Sequence, residues 1–514
     1  MTLTATLHQI VVIISTLVVA LAVQAYLRQR RARALRPPGP TPLPLLGNLL
    51  QIPKRSPWKT YAAWGREHRS DLISVQVFGQ LTIIVNTAKA ARELFEKRSH
   101  KYSDRPHFTM IDLIGWDWDI AMMRYDAKWR LHRRLLHQFM HEKAALAYHP
   151  IILSNTNMLL QDLYQDSDHC RDHIARFFAS VTMSIAYAYD DQDQMARHAR
   201  NAGTAGVMFA DAILPGASVV NYFPFLRYLP LCLPGAGFLR EARECKVLTT
   251  QMREEPFDVV KAAMRVGTAG PSMALSMIET NDLNGGGLDG AESAKNVAAI
   301  VYAGGADTMT SVLATFVLAM CLNPSVQRRA QQEIDTVVGR HRLPTFEDRA
   351  HLPYVEALCR EVFRWNLATP LGMPRKVIDD DEYDGFLIPG GCTIIFNTWA
   401  ILHDPDVYTE PDSFMPERFL TKEGSLIVDD AQPAFGFGRR LCPGIILARA
   451  TVWNAVAAIL ATFKLSPAKN EQGEDIPVEI EYYPGVISHP APFQCSIAPR
   501  DAKAEGLIRE AGIF

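Results

Sequence analysis

One stretch of this chain brings a cysteine, two arginines and paired glycines into a spacing that can do chemistry: Phe435-Gly436-Phe437-Gly438-Arg439-Arg440-Leu441-Cys442-Pro443-Gly444. Gly436 and Gly438 permit backbone turns that a side chain would obstruct. They lead Cys442 to an apolar run, Ile445, Leu447, Val452, Val456 and Leu460, which reads as a helix from about Gly444. A helix N-terminus offers unpaired N–H groups and the positive end of the dipole, so a thiolate there is stabilised without a cation beneath it. Arg440, two residues earlier, supplies a cation that could hold an acidic group across the same loop. An apolar, dipole-stabilised thiolate suits a soft metal better than hydrolysis. The plainer alternative is a lone buried cysteine acting only as a small hydrophobe.

The elements that must position such a site can be read from pattern. Trp129 and Arg133 are four apart, so one helix face carries both, while Arg130 and Arg134 lie on an adjacent face open to an acidic partner. Ala303-Gly304-Gly305-Ala306-Asp307-Thr308 falls inside a long helix that runs to about Leu322 and stops at Asn323-Pro324. Its two glycines and a β-branched residue cost roughly 2 kcal/mol relative to alanine. Close helix packing through small residues, or a local kink freeing backbone groups, must compensate. Asp307 and Thr308 are adjacent, so their side chains diverge by about 100°; Thr308 either faces a ligand or bonds back to a carbonyl one turn earlier. Residues 103–123 carry Phe108, Met110, Ile111, Ile114, Trp116, Trp118, Ile120 and Met122 with no clean period, which suggests a segment packed over something apolar. For any single one of them, ordinary core packing is the alternative. Asp71 to Asn86 alternates Ile73, Val75 and Val77 before Phe78-Gly79-Gln80, a hairpin pattern. From about 140 to 265 the chain reads as helices broken at Leu214-Pro215-Gly216 and Leu233-Pro234-Gly235, and Asn281 to Gly290 as a flexible connector.

The spacing Phe-x-x-Gly-x-Arg-x-Cys-x-Gly resembles the haem-binding signature of the cytochrome P-450 monooxygenases. Further motifs of that family follow its order. A proline-rich hinge, Pro37-Pro38-Gly39-Pro40-Thr41-Pro42-Leu43-Pro44, precedes Leu46-Gly47-Asn48. Glu361-Val362-Phe363-Arg364 with Pro416-Glu417-Arg418-Phe419 resembles the Glu-Arg-Arg structural triad, and Asn397-Thr398-Trp399-Ala400 with Asp404-Pro405 continues the match. The resemblance implies a mainly α fold with a minor β-region, and haem b held by Cys442 as axial iron ligand. It further implies haem contacts from Trp129, Arg133, Arg375, Phe435 and Arg440, with Asp307 and Thr308 as an acid-alcohol pair delivering protons. Pro374-Arg375 stands where many relatives have Pro-His, and arginine can serve the same propionate. Segment 103–123 would line the substrate pocket. A last strand pair from Tyr482 to Cys495, turning at Pro484-Gly485, would point Val486 and Ile487 into it.

Composition bounds the rest. At 514 residues, length alone would allow about three domains, yet 48% apolar content and a net charge of −2 describe one ordinary globular body with ample core and no affinity for nucleic acid. Eight cysteines show no C-x-x-C pair, which argues against structural zinc and a disulfide framework. Leu7 to Leu27 is long and apolar enough to cross a bilayer; Met1 to Gln9 has no Lys or Arg, whereas Arg28, Arg30, Arg31, Arg33 and Arg36 follow it. We therefore expect a lumenal tail and single transmembrane helix over 1–28, a basic, proline-rich hinge over 29–48, and a cytosolic catalytic domain over 49–514 at the endoplasmic reticulum membrane. Electrons are expected from NADPH through a separate NADPH-cytochrome P-450 reductase, with cytochrome b5 as an optional second donor, because no dinucleotide fingerprint is present. The expected substrate is a lipophilic small molecule, a terpenoid or polyketide skeleton of secondary metabolism. Two rivals are a thiolate-haem isomerase or dehydratase working without reductase, and a haem-binding sensor without turnover.

Overall fold

The computed structural model describes residues 35–514 apart from 54, 190, 284–286, 484 and 513–514. The expected membrane helix, Leu7 to Leu27, and the start of the hinge lie outside the described residues.

Twelve helices of ten or more residues form the frame of the described chain: α1 Pro57–Glu67, α2 Ala127–Met140, α3 His149–Gln165, α4 Cys170–Tyr187, α5 Gln192–Ile213, α6 Gly237–Val266, α7 Met273–Leu283, α8 Leu288–Leu322, α9 Pro324–Val337, α10 Pro353–Trp365, α11 Ile445–Thr462 and α12 Ala502–Ala511. Their ends follow from local chemistry. Asp126 caps α2 by accepting from Trp129 N–H at 2.9 Å. α8 stops at Asn323 because Pro324, at the first position of α9, cannot continue its ladder. α5 ends at Ile213 and α6 begins at Gly237, so the two Leu-Pro-Gly breaks fall between helices.

Asp289–Leu322 and Ile445–Thr462 are apolar enough to cross a membrane by length and composition, yet 72% of each apolar window is buried inside the protein. Both are core helices. α8 packs along α4, and the contact explains one of its glycines: a Cβ at Gly305 would lie 2.9 Å from Thr182 Cγ2. Close helix packing is therefore what Gly305 provides, while Gly304 next to it faces open space near Ile300.

The β-region is small. β1 Leu72–Val77 and β2 Gln80–Val85 form the expected hairpin, turning through Phe78 and Gly79 at φ 46° and 86°. β6 Thr393–Phe396 pairs parallel to β2, and β3 Arg375–Lys376 pairs antiparallel on the other side of β6. β4 Asp381–Tyr383 and β5 Phe386–Ile388 form a second hairpin, and β7 Phe463–Pro467 pairs with β8 Cys495–Pro499.

Two sequence expectations need correction. α7 reaches Leu283 and α8 starts at Leu288, so the connector read from 281 to 290 is narrower than expected: 281–283 and 288–290 are helical, Gly287 is not, and 284–286 lie outside the described residues. The strand pair read over 482–495 is a single bridge, Tyr482 to Pro490, and the regular antiparallel pair is β7 with β8, which flank this stretch. Proline at 484 lies outside the described residues. Proline at 490 and 492 leaves too few donors there for a ladder.

Beneath the site, Glu361 and Arg364 of α10 are both fully buried. Arg364 Nε and Nη2 donate to Glu361 at 2.6 and 2.9 Å, and Arg418 Nε donates to Glu361 Oε1 at 3.2 Å. Arg364 also donates to the carbonyls of Leu402 and Pro411. The cluster thus ties α10 to the coil at 402–418.

Candidate functional site

The cysteine loop is shaped from outside as well as within. Gly438 has φ +57°, and a Cβ there would meet Phe95 O at 2.0 Å, so no other residue fits without moving the neighbouring chain. Gly436 turns at φ +87° two residues earlier. The loop closes when Cys442 N–H donates to Phe435 O at 2.9 Å, and α11 then begins at Ile445. Burial pushes the Cys442 thiol above its ordinary range, while the Gly444 N–H and the Arg133 guanidinium draw it back down. That N–H is the terminal donor expected of a helix start.

Cys442 faces a cavity of about 340 Å³. All eight residues singled out in the sequence line it: Trp129 and Arg133 from α2, Asp307 and Thr308 from α8, Arg375 from β3, and Phe435, Arg440 and Cys442 from the loop. Val486 and Ile487 line it as expected. Of the eight apolar residues between 108 and 122, Trp116 and Ile120 line the cavity, and the others pack in the core or beside it. Trp116 stacks on Trp118, with centroids 5.4 Å apart, and leans on Phe209 of α5. The segment is a cover anchored mostly in the core.

One side of the cavity is cationic. Arg440 stacks over Trp129 at 4.3 Å and donates to three carbonyls, Ser103 O at 2.9 Å, Ile120 O at 3.1 Å and Met123 O at 2.7 Å. The acidic partner expected across its own loop is not a protein carboxylate. Arg375 is 1% exposed, lies over the rings of Phe95 and Phe396, and donates one bond, to Phe437 O at 2.7 Å. Its Nε and Nη1 are buried without a partner. Burial, reinforced by the neighbouring Arg105, holds its pKa well below the usual arginine range.

Arg105 and Asp119 join this side, and sequence reasoning missed both. Arg105 donates to Met373 O at 2.9 Å and leaves Nε unpaired; burial lowers its pKa to about 10. Asp119 is buried, which raises its carboxyl to about 6 against the pull of the Ala121 N–H, Arg105 and Arg440. The available signal was polarity out of place, and a weak one: Arg105 and Asp119 share their segment with Asp104, Asp112 and Asp117. Four guanidiniums lining one cavity with a single buried carboxylate beside two of them, and orphaned donors among them, fit an anion with several acceptor oxygens. The two propionates and the iron of the haem implied by the sequence match this set: acceptors for the arginines, and a soft metal for the thiol.

The opposite wall belongs to α8. Thr308 Oγ1 donates to Gly304 O at 2.8 Å, the bond to the previous turn that competes with a ligand-facing role. Asp307 Oδ1 lies 3.1 Å from His489 Nε2, a contact with no sequence signal. Arg130 and Arg134 are exposed on the far face of α2.

Comparison with known proteins agrees with this geometry. The family model described as Cytochrome P450 matches residues 37–497. Cytochrome P450 monooxygenase COX1 of Coprinopsis cinerea is 38% identical over 515 residues, covering 98% of this chain and 99% of that protein. Tryptamine 4-monooxygenase of Psilocybe cyanescens is 37% identical, covering 92% and 95%. Cytochrome P450 monooxygenase claR of Ampulloclitocybe clavipes is 38% identical, covering 93% and 88%.

Proposed function

Because the chain belongs to the cytochrome P450 family and is a haem-thiolate monooxygenase, we propose that Cys442 is its axial ligand, at the foot of the one described cavity that also gathers four arginines. When bound, the haem supplies the dioxygen chemistry. Trp129, Arg133, Arg375 and Arg440, joined by Arg105, would hold its propionates; the unpartnered Nε and Nη1 of Arg375 carry this reading. Phe435 packs beside the thiol with its ring 5.0 Å from Phe363. Burial favours the thiol, and the Gly444 N–H and the Arg133 charge offset part of that effect in favour of the thiolate. Asp307 and Thr308 move protons: the hydroxyl turns away from Gly304 O to donate into the cavity, and the carboxylate takes protons from water and passes them on.

The substrate is a lipophilic small molecule. Trp116, Phe178, Phe209, Val312, Leu367 and Ile487 surround the space above α8, where they exclude water and bind by apolar contact. A relative named for acting on tryptamine supports a small organic substrate. We assign the enzyme to secondary metabolism, with terpenoid or polyketide skeletons as its first candidates. A redox partner supplies its electrons; we propose NADPH-cytochrome P-450 reductase, with cytochrome b5 as second donor, docking on the face that carries Arg130 and Arg134. A membrane helix over residues 7–27, with the body on the cytosolic side of the endoplasmic reticulum, completes the proposal.

The test is the carbon monoxide complex of the reduced enzyme. Wild type should give the strongly red-shifted band of thiolate ligation, and Cys442→Ser should lose it. Retention of the band in Cys442→Ser would overturn the assignment. A screen of lipophilic scaffolds by haem spectral shift then narrows the substrate.

A further inference from the structure

Asp307 has a partner that the proton path described above leaves unused. His489 Nε2 lies 3.1 Å from Asp307 Oδ1. The histidine follows the segment that contributes Val486 and Ile487 to the cavity, but is not itself among the lining residues. The same segment is fastened to α8. Ser311 Oγ donates to Ser488 O, and the Thr315 and Tyr482 hydroxyls meet at 3.0 Å. Ser488 N–H donates to Ala368 O at 2.8 Å. The ring is therefore held in register with the helix that carries Asp307.

Its tautomer follows from what surrounds it. His489 Nδ1 is buried without a partner. A proton on Nδ1 would be a buried donor with no acceptor, whereas a bare lone pair there is less costly. The neutral ring thus keeps its proton on Nε2 and donates it to Asp307 Oδ1. The second carboxylate oxygen looks elsewhere. A Cβ on Gly206 of α5 would lie 3.9 Å from Asp307 Oδ2, and Gly206 lines the cavity. A glycine there leaves the space in front of Oδ2 open on the α5 side.

We propose that His489 is a positioning residue for proton delivery: it ties down Oδ1 of Asp307 so that Oδ2 alone faces the open space beside Gly206. A carboxylate on two free torsions samples several orientations, and one tethered oxygen removes most of them. Each proton binds Oδ2 from water, is handed into the cavity beside Thr308, and leaves Asp307 a carboxylate again. His489 keeps its own proton throughout. The proposal rests on Asp307 and Thr308 forming the proton path, so the test separates the two.

Holoenzyme reconstituted with reductase is given 7-ethoxycoumarin as a lipophilic probe, and hydrogen peroxide released per NADPH is measured at matched haem content. His489→Leu should raise the peroxide fraction severalfold, as Asp307→Asn should. His489→Gln, whose amide can donate to Oδ1, should restore most of the loss, a rescue that a packing role for the ring would not give. Wild-type peroxide yield in His489→Leu, with Asp307→Asn uncoupled, overturns the positioning role and leaves the proton path standing. Unchanged yields in Asp307→Asn and Thr308→Ala remove the path and the proposal with it. Equal uncoupling by His489→Leu and His489→Gln means that hydrogen bonding to Oδ1 is not the ring's task, and also overturns it. The contact is read without turnover by a thermal-unfolding cycle over Asp307→Ala and His489→Leu, each of which removes it: non-additive shifts are expected, and additive ones mean the two side chains do not interact. Should His489→Leu fold poorly, His489→Ala takes its place.

Discussion

Arg375 is costly for the protein alone, and the proposed haem contact would offset that cost. Its guanidinium is buried, has Arg105 for a neighbour, and makes one hydrogen bond, to Phe437 O. A buried charge with orphaned donors destabilises unless something accepts from it. Arg375→Met should therefore stabilise the haem-free protein by about 1 kcal/mol, because the lost Phe437 bond offsets part of the relieved burial. The same change should lower haem occupancy and the melting temperature of the loaded enzyme. Opposite signs in the two unfolding curves are the expected result; destabilisation of both forms would mean that the rings of Phe95 and Phe396 suffice to satisfy this arginine. At this scale the sequence was legible where residue type and spacing coincide, as at Cys442 and at Trp129 with Arg133. It was silent on His489 and Arg105, whose partners lie 182 and 268 residues away, counting from 307 to 489 and from 105 to 373. No local pattern encodes such a contact.

Elements hold the site through a few buried polar ties. Glu361 is fully buried between Arg364 and Arg418 and also accepts from Met415 N–H at 2.8 Å. Glu361→Ala leaves Arg364 buried and uncompensated, so about 3–5 kcal/mol of stability should be lost. The checks are urea unfolding and haem retention, and a loss below about 1 kcal/mol would refute the structural role. The loop between α9 and α10 relies on a second tie. Arg342 donates to both oxygens of Asp348 at 2.7 Å and Thr345 N–H donates at 2.8 Å, and the arginine chiefly lowers the Asp348 carboxyl from 3.8 to about 2. A depressed carboxyl stabilises the fold above its unfolded value and loses that contribution as pH falls through its folded value. Asp348→Asn should therefore cost about 1–2 kcal/mol at pH 7, less than the full shift because Arg342 is half exposed. The difference from wild type should shrink between pH 4 and pH 2, as followed by acid unfolding; a constant difference would exclude the linkage. Helix limits set by proline and capping residues were readable in the chain. The connector judged from glycine content at 281–290 was drawn too wide at both ends, because flanking residues join their helices where tertiary packing overrides a weak intrinsic preference.

For the whole molecule, the question is what tethers it and what assembles it. Deleting residues 1–28 should release most of the protein from membranes while leaving the carbon monoxide spectrum intact, since every residue of the cavity lies beyond position 104. Fractionation and spectroscopy on one preparation decide this; loss of haem binding on truncation would contradict an anchor separable from the body. The sequence by itself determined the elements and the chemistry they carry. Periodicity, prolines and caps act over one or two helical turns, so α2, α8, α11 and the β1–β2 hairpin follow from local residues, as does a cysteine delivered to a helix start. Only the tertiary structure decided which polar groups share the cavity. It brings α2, β3, the cysteine loop and the segment at 105–119 together around one patch of arginines, and sets His489 against Asp307. The physical reason is one of range: propensity and periodicity are properties of neighbours along the chain. Which charges are buried together, and which donors are left without partners, depends on distances fixed only once the helices have packed.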